Sequence, residues 1–129
     1  MGQGIQSFKD LLVWQKALTL SVLCYELTKA FPKDEMYGMT AQIRRASVSV
    51  PANIAEGHGR EHTRSFIQFL RVAQGSLKEL ETHLMLAEQV NLAPAAALAP
   101  AYAVTDEIGR MLRALIRALK EKLGSESDA

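Results

Sequence analysis

The chain has little from which to build catalysis, crosslinks or a membrane anchor. A single cysteine, Cys24, excludes an internal disulfide and suits a reducing compartment. Aromatic residues make up only 6% of its 129 residues, so aliphatic side chains must fill the core. Fifteen basic against fourteen acidic residues leave a formal charge of +1, and no global field announces a polyanionic partner. The longest apolar stretch, "LAPAAALAPAYAV", is too short to span a bilayer, and "MGQGIQSFKD" lacks the pattern of a signal peptide. Gly2 begins a myristoylation-like pattern, but Gln6 stands where that signal needs Ser or Thr. The expectation is a soluble, cytoplasmic protein without a membrane partner.

Hydrophobic residues amount to 48%, and helix formers recur throughout. One domain of this length can bury roughly two thirds of its unfolded surface around a single core. Residues 1–9 read as an extension, 10–123 as a four-helix bundle and 124–129 as a disordered acidic tail. The first helix spans about Asp10 to Ala30, with Asp10 as a possible N-cap. It carries two apolar stripes: Leu11, Trp14, Leu18, Val22 and Tyr25, and beside them Ala17, Leu20, Cys24, Leu27 and Phe31. A core needs only one, so a neighbouring subunit is expected to cover part of this helix.

The second helix starts near Tyr37 or Thr40 and ends at Gly57 and Gly59. The third follows Thr63, a candidate N-cap, to about Asn91, with a seam of Phe66, Phe69, Leu70, Ala73, Leu77, Leu80, Leu84 and Ala87. Pro94 and Pro100 mark an alanine-rich connection, with "AAALA" a candidate helical turn within it. The fourth helix runs from about Ala101 to Leu123, with Val104, Ile108, Leu112, Leu115 and Leu119 inward and Gly124 as its stop. Short connections make this an all-α, antiparallel up-and-down four-helix bundle.

The second helix contains "QIRRASVSVPANIAEGHGR", residues 42–60. Its wheel separates three faces. Ile43, Ala46, Ser47, Val50, Ile54 and Gly57 form a small-residue core face that lets a neighbour approach closely. Gln42, Arg45, Ser49, Asn53, Glu56 and Arg60 form a polar face. Arg44, Val48, Pro51 and Ala55 form a mixed edge. Pro51 cannot donate to the carbonyl of Ser47, so a kink is expected there and the carbonyl needs another partner: water, a serine hydroxyl or an arginine.

Those residues, with "DLLVWQKA", "FIQFLRVAQGSLKELETHLMLA" and "DEIGRMLRALI", resemble the four helix bundle protein family, also called 23S rRNA-intervening-sequence proteins. The resemblance covers roughly residues 8 to 120. It implies a bacterial bundle assembled as a homopentamer, with no enzymatic activity, no cofactor and a largely unassigned cellular role. The family also looks similar to the accessory protein of diversity-generating retroelements, a basic pentamer that engages a reverse transcriptase and nucleic acid.

Chemistry is sparse. "HGREH" matches H-x-x-E-H, so His58, Glu61 and His62 suggest a zinc hydrolase, but that motif needs one intact helix and Gly57 and Gly59 predict a helix end. The plainer expectation is two exposed loop histidines and no metal. His83 reads as a surface or core-edge residue. Glu79 and Glu81, two apart on a helix, point in different directions. Glu56 is expected to pair with Arg60 or to meet Glu79 or Lys78 across the bundle. Ser47, Ser49 and Cys24 lack a nucleophile's context, Trp14 reads as an apolar anchor, and no catalytic residue is assigned.

Binding has more to stand on. Arg45, Ser49, Asn53, Glu56 and Arg60 are candidates for a ligand or an intersubunit contact. Leu11, Trp14, Leu18, Val22, Tyr25, Val48 and Pro51 are candidates for an oligomer interface. Arg110, Arg113, Arg117 and Lys120 share one side of the fourth helix along about 15 Å, and Arg44 is a further candidate contact to RNA or DNA, with Arg45, Arg60 and Arg64 able to add. Repetition around a ring would multiply such a stripe. A homo-oligomeric assembly or adaptor protein is the leading expectation, with a possible protein partner; a nucleic-acid-binding accessory protein comes second.

Overall fold

In a computed structural model, which describes residues 7–128, the chain forms four long helices. They are α1 Leu12–Thr28, α2 Met39–Gly59, α3 Thr63–Gln89 and α4 Ala95–Asp128. Among the described residues there is no strand, and no helix is long and apolar enough to cross a membrane. Each helix packs on its chain neighbours and α4 returns to α1, which closes a square, up-and-down bundle.

The core selects one stripe from each helix. Leu20, Ile43, Ile54, Leu70, Leu80, Leu84, Leu98, Ile108 and Leu112 are fully buried. From α1 it takes the stripe of Ala17, Leu20 and Cys24 and leaves Leu18, Val22 and Tyr25 outside. All of Ile43, Ala46, Ser47, Val50, Ile54 and Gly57 are buried on α2, as the wheel predicts. On α3 the seam is right from Leu70 onward, but Ile67 takes the buried place expected of Phe66 and Phe69, which are half-buried. On α4, Val104, Leu115 and Leu119 sit at the edge, while Leu98, Ala101, Thr105 and Ile116 complete the core.

Gly57 explains how close α2 and α3 come. A Cβ there would stand 2.6 Å from the Cβ of Phe69, so only glycine fits without movement. At the other end of α3, Asn91 takes a left-handed φ of 62°. The amide of Leu92 then donates to Ala87 O at 2.8 Å and that of Asn91 to Glu88 O at 3.1 Å, which ends the helix and satisfies two of its last carbonyls.

Several boundaries differ from expectation. Asp10 closes a short 3-10 turn, Phe8–Asp10, by accepting from the Ser7 amide, and α1 begins after Leu11 without a side-chain cap. Extended His62, rather than Thr63, precedes α3. Helix α4 starts at Ala95 and includes Pro100; the Ala96 carbonyl that loses its donor there is on an exposed residue, where water can serve it. Gly124 does not stop the helix, which continues to Asp128. The tail's last residue, Ala129, and the Gln6 reading lie outside the described residues.

Candidate functional site

Pro51 has a defined consequence. Helix α2 continues through it, and the Ser47 carbonyl it leaves without a helical donor receives the hydroxyl of Ser21 on α1 at 2.9 Å. The same hydroxyl lies 3.2 Å from the Ala17 carbonyl, so one buried group bridges the two helices. Cys24 lies one turn further along; burial pushes its thiol up to about 12, despite the Ser47 hydrogen bond that opposes the shift. A thiol held neutral this way is a poor nucleophile.

The polar face of α2 is engaged within the chain. Arg45 Nη2 donates to Glu79 Oε2 on α3 and to Gln42 Oε1, both at 2.7 Å. Ser49 Oγ and Ser76 Oγ lie 2.7 Å apart, and Asn53 Nδ2 donates to Ser49 O at 2.8 Å and to its Oγ at 3.0 Å. The Arg45 hydrogen bond holds the Glu79 carboxyl below its ordinary value, against a smaller opposing effect of burial. Glu56 does not reach Glu79 or Lys78: it takes Arg60 of its own helix at 3.0 Å, and that guanidinium lies over the Phe69 ring. Glu79 meets Arg45 and His83, and Glu81 meets Lys78, so the two acids do face apart.

"HGREH" straddles a helix break. His58 is still in α2, half-buried and edge-on to Phe66, whereas His62 is an exposed residue before α3. Glu61 between them has a φ of 61°. The break keeps the two histidines off a common helix face, and among the described residues no three His, Cys, Asp or Glu side chains are grouped to hold a metal. They instead line an open cavity of about 440 Å³ at the bundle end, walled by Phe66, Leu115 and Leu119.

The outer face of α1 and α2 is apolar. Leu18 is 45% exposed, Val22 56%, Tyr25 42% and Val48 43%. Arg44 caps this face: Nε donates to Thr28 Oγ1 at 2.8 Å and the guanidinium lies 4.6 Å above the Tyr25 ring. The antiparallel register set by Tyr25 with Arg44, and Ser21 with Ser47, puts Val22 level with Val48 and Leu18 level with Pro51. Trp14 and Leu11 are half-buried, Trp14 against the edge of Phe8, and Pro51 is buried. Of the seven interface candidates, Leu18, Val22, Tyr25 and Val48 share this exposed face, whereas Pro51 is buried and Leu11 lines the cavity at the bundle end.

The basic stripe is divided and extended. Arg110 pairs with Asp106, and Arg44 belongs to the α1 and α2 face, remote from α4's other arginines in the packing order. Arg113, Arg117 and Lys120 instead line a cleft of about 370 Å³ with Arg71 and Gln74 of α3. It continues on one side past Gly75, Lys78 and Gly109, and on the other past Arg64 and Gln68. Arg71 was not among the residues expected to take part. Its signal was available: Arg64, Arg71 and Lys78 recur every seven residues on a helix, which places them in one row.

Comparison with known proteins agrees with this architecture. A family model described as 23S rRNA-intervening sequence protein matches residues 9–114. A crystal structure of a protein of unknown function, from the S23 ribosomal protein family of Bacteroides thetaiotaomicron VPI-5482, superposes with a TM-score of 0.73 at 24% identity. The match covers 81% of this chain and 98% of that one, and at this identity it establishes the fold alone. No curated protein matches.

Proposed function

The chain belongs to the 23S rRNA-intervening sequence protein family, and from that premise we propose that it is a non-enzymatic assembly or adaptor module that works in the cytosol as a ring of identical subunits. One observation carries the reading: Leu18, Val22, Tyr25 and Val48 form a continuous apolar face on two packed helices while the core is complete without them. Such a face, rimmed by charge, gains stability from burial against a second subunit. Arg44 over Tyr25 supplies a polar rim. The family resemblance supports five subunits.

Native mass spectrometry tests it. A pentamer at micromolar concentration that falls to monomers in Val22→Glu and Leu18→Glu variants is the expected result; a monomeric wild type overturns it. Both positions are exposed in the subunit, so these changes leave its core intact.

The second reading is a nucleic-acid-binding accessory protein. It is favoured by Arg113, Arg117 and Lys120 facing one cleft without a carboxylate partner among the described residues. Salt-sensitive retention on immobilised RNA, weakened by Arg113→Glu with Arg117→Glu, is expected; no retention at about 50 mM salt rejects it.

A further inference from the structure

We propose that the seam between α3 and α4 is a track for one polynucleotide strand, held by its phosphates and read without regard to sequence. The proposal rests on the nucleic-acid reading of α4 and adds the other wall of the site, with Arg71 at its centre.

Three adjoining clefts run along this seam. Arg64, Arg71 and Lys78 come from α3; Arg113, Arg117 and Lys120 come from α4. All six are exposed, and among the described residues only Lys78 has a carboxylate partner, Glu81 at 3.1 Å. Elsewhere on the surface the arginines are engaged: Arg45 with Glu79, Arg60 with Glu56, Arg110 with Asp106 and Arg44 with Thr28 and Tyr25. The seam therefore gathers five cations without a carboxylate partner among the described residues, Arg64, Arg71, Arg113, Arg117 and Lys120, on facing walls where they repel one another until an anion enters.

The shape selects among polyanions. Arg64 to Lys78 spans about 21 Å of helix, room for roughly six stacked nucleotides at about 3.4 Å each. Packed helices have axes about 8–10 Å apart, so the furrow between them is far narrower than a duplex and suits one strand. Gly75 and Gly109 have no side chain, and a Cβ on Gly75 would meet nothing within 4 Å, which leaves the Lys78 end of the track open. No aromatic ring lines any of the three clefts, so bases have no stacking platform. Gln68 and Gln74 can hydrogen-bond phosphate or sugar oxygens. Phosphate contacts without base contacts give binding that is salt-dependent and indifferent to sequence.

Fluorescence polarisation of a labelled 12-nucleotide oligouridylate tests the track with the whole protein. Binding at about 50 mM salt is expected, with a log–log salt slope of about −2 to −3.5 for three to five phosphates engaged on a single strand. Oligocytidylate should match oligouridylate within about threefold, and a duplex of equal length should bind at least about tenfold more weakly. Arg71→Glu should weaken binding at least about tenfold and Arg71→Gln by less, with circular dichroism unchanged, whereas Lys33→Glu, an exposed residue between α1 and α2, should change it less than about twofold. If Arg113→Glu with Arg117→Glu abolishes binding and Arg71→Glu does not, the track is wrong and the α4 stripe stands; if the wild type does not bind, both fail. Equal loss in Lys33→Glu, equal affinity for duplex, or equally effective competition by polyglutamate also overturns the track.

Discussion

The hydroxyl of Ser21 donates to the main-chain carbonyl of Ser47 at 2.9 Å, across the interface of α1 and α2. Pro51, four residues on, is the reason that carbonyl is available. A helix-interior proline thus becomes a tertiary contact, because burying an unpaired carbonyl would cost more than ordering one serine.

Removing the donor should expose the dependence. Ser21→Ala is expected to cost about 1–3 kcal/mol in urea unfolding, the penalty for a buried acceptor left alone. In a Pro51→Ala background the restored amide serves Ser47, and Ser21→Ala should then cost clearly less. Equal costs in both backgrounds would show that the serine acts only through packing.

Gly57 and Gly59 should respond oppositely to alanine. Gly57→Ala drives a Cβ into Phe69 at 2.6 Å and is expected to destabilise by about 1–3 kcal/mol. Gly59→Ala meets nothing within 4 Å in a helical turn and should be neutral or stabilising by up to about 1 kcal/mol. Thermal denaturation of the two variants provides the comparison.

Arg45 and Glu79 predict a small acid dependence. Hydrogen bonding by Arg45 lowers the Glu79 carboxyl from 4.5, so the folded state favours the ionised form. Its contribution is fully present above 4.5 and is lost as pH falls through the lowered folded value. Both side chains are largely exposed, which limits it to about 0–1 kcal/mol. Glu79→Gln should therefore trail the wild type slightly at pH 7 and converge with it in acid, as urea midpoints across that range would register.

Cys24 should act as a reporter of unfolding. It is fully buried and its thiol is pushed up to about 12. At pH 8 its reaction with a thiol-specific chromogenic disulfide should be slower than in urea by a factor on the order of 10³ or more, following the unfolded fraction. Fast labelling under native conditions would mean that α1 separates from α2 locally.

What was legible in the chain was periodic. The six residues of the α2 core face, the glycines at its end and most of the α3 seam follow from spacing and side-chain size, because a helix repeats its faces every few residues whatever surrounds it. The family resemblance rests on the same residues.

Helix boundaries were less legible, since Asp10 and Thr63 can cap a helix only if the chain before them turns suitably. Asp10 spends its carboxylate on Ser7, and the chain enters α3 one residue earlier than Thr63.

The choice of partners belonged to the three-dimensional packing. Two apolar stripes on α1 were equivalent by pattern, and only the positions of α2 and α4 put Leu20 inside and Val22 outside. Water, serine and arginine were equal candidates for the Ser47 carbonyl until α1 brought Ser21 to it. Arg44 left the basic stripe and Arg71 joined it because α3, not α2, lies beside that side of α4. Composition and periodicity are properties of one helix at a time; a hydrogen-bond partner, an exposed face or a shared charge track is a property of two helices in register.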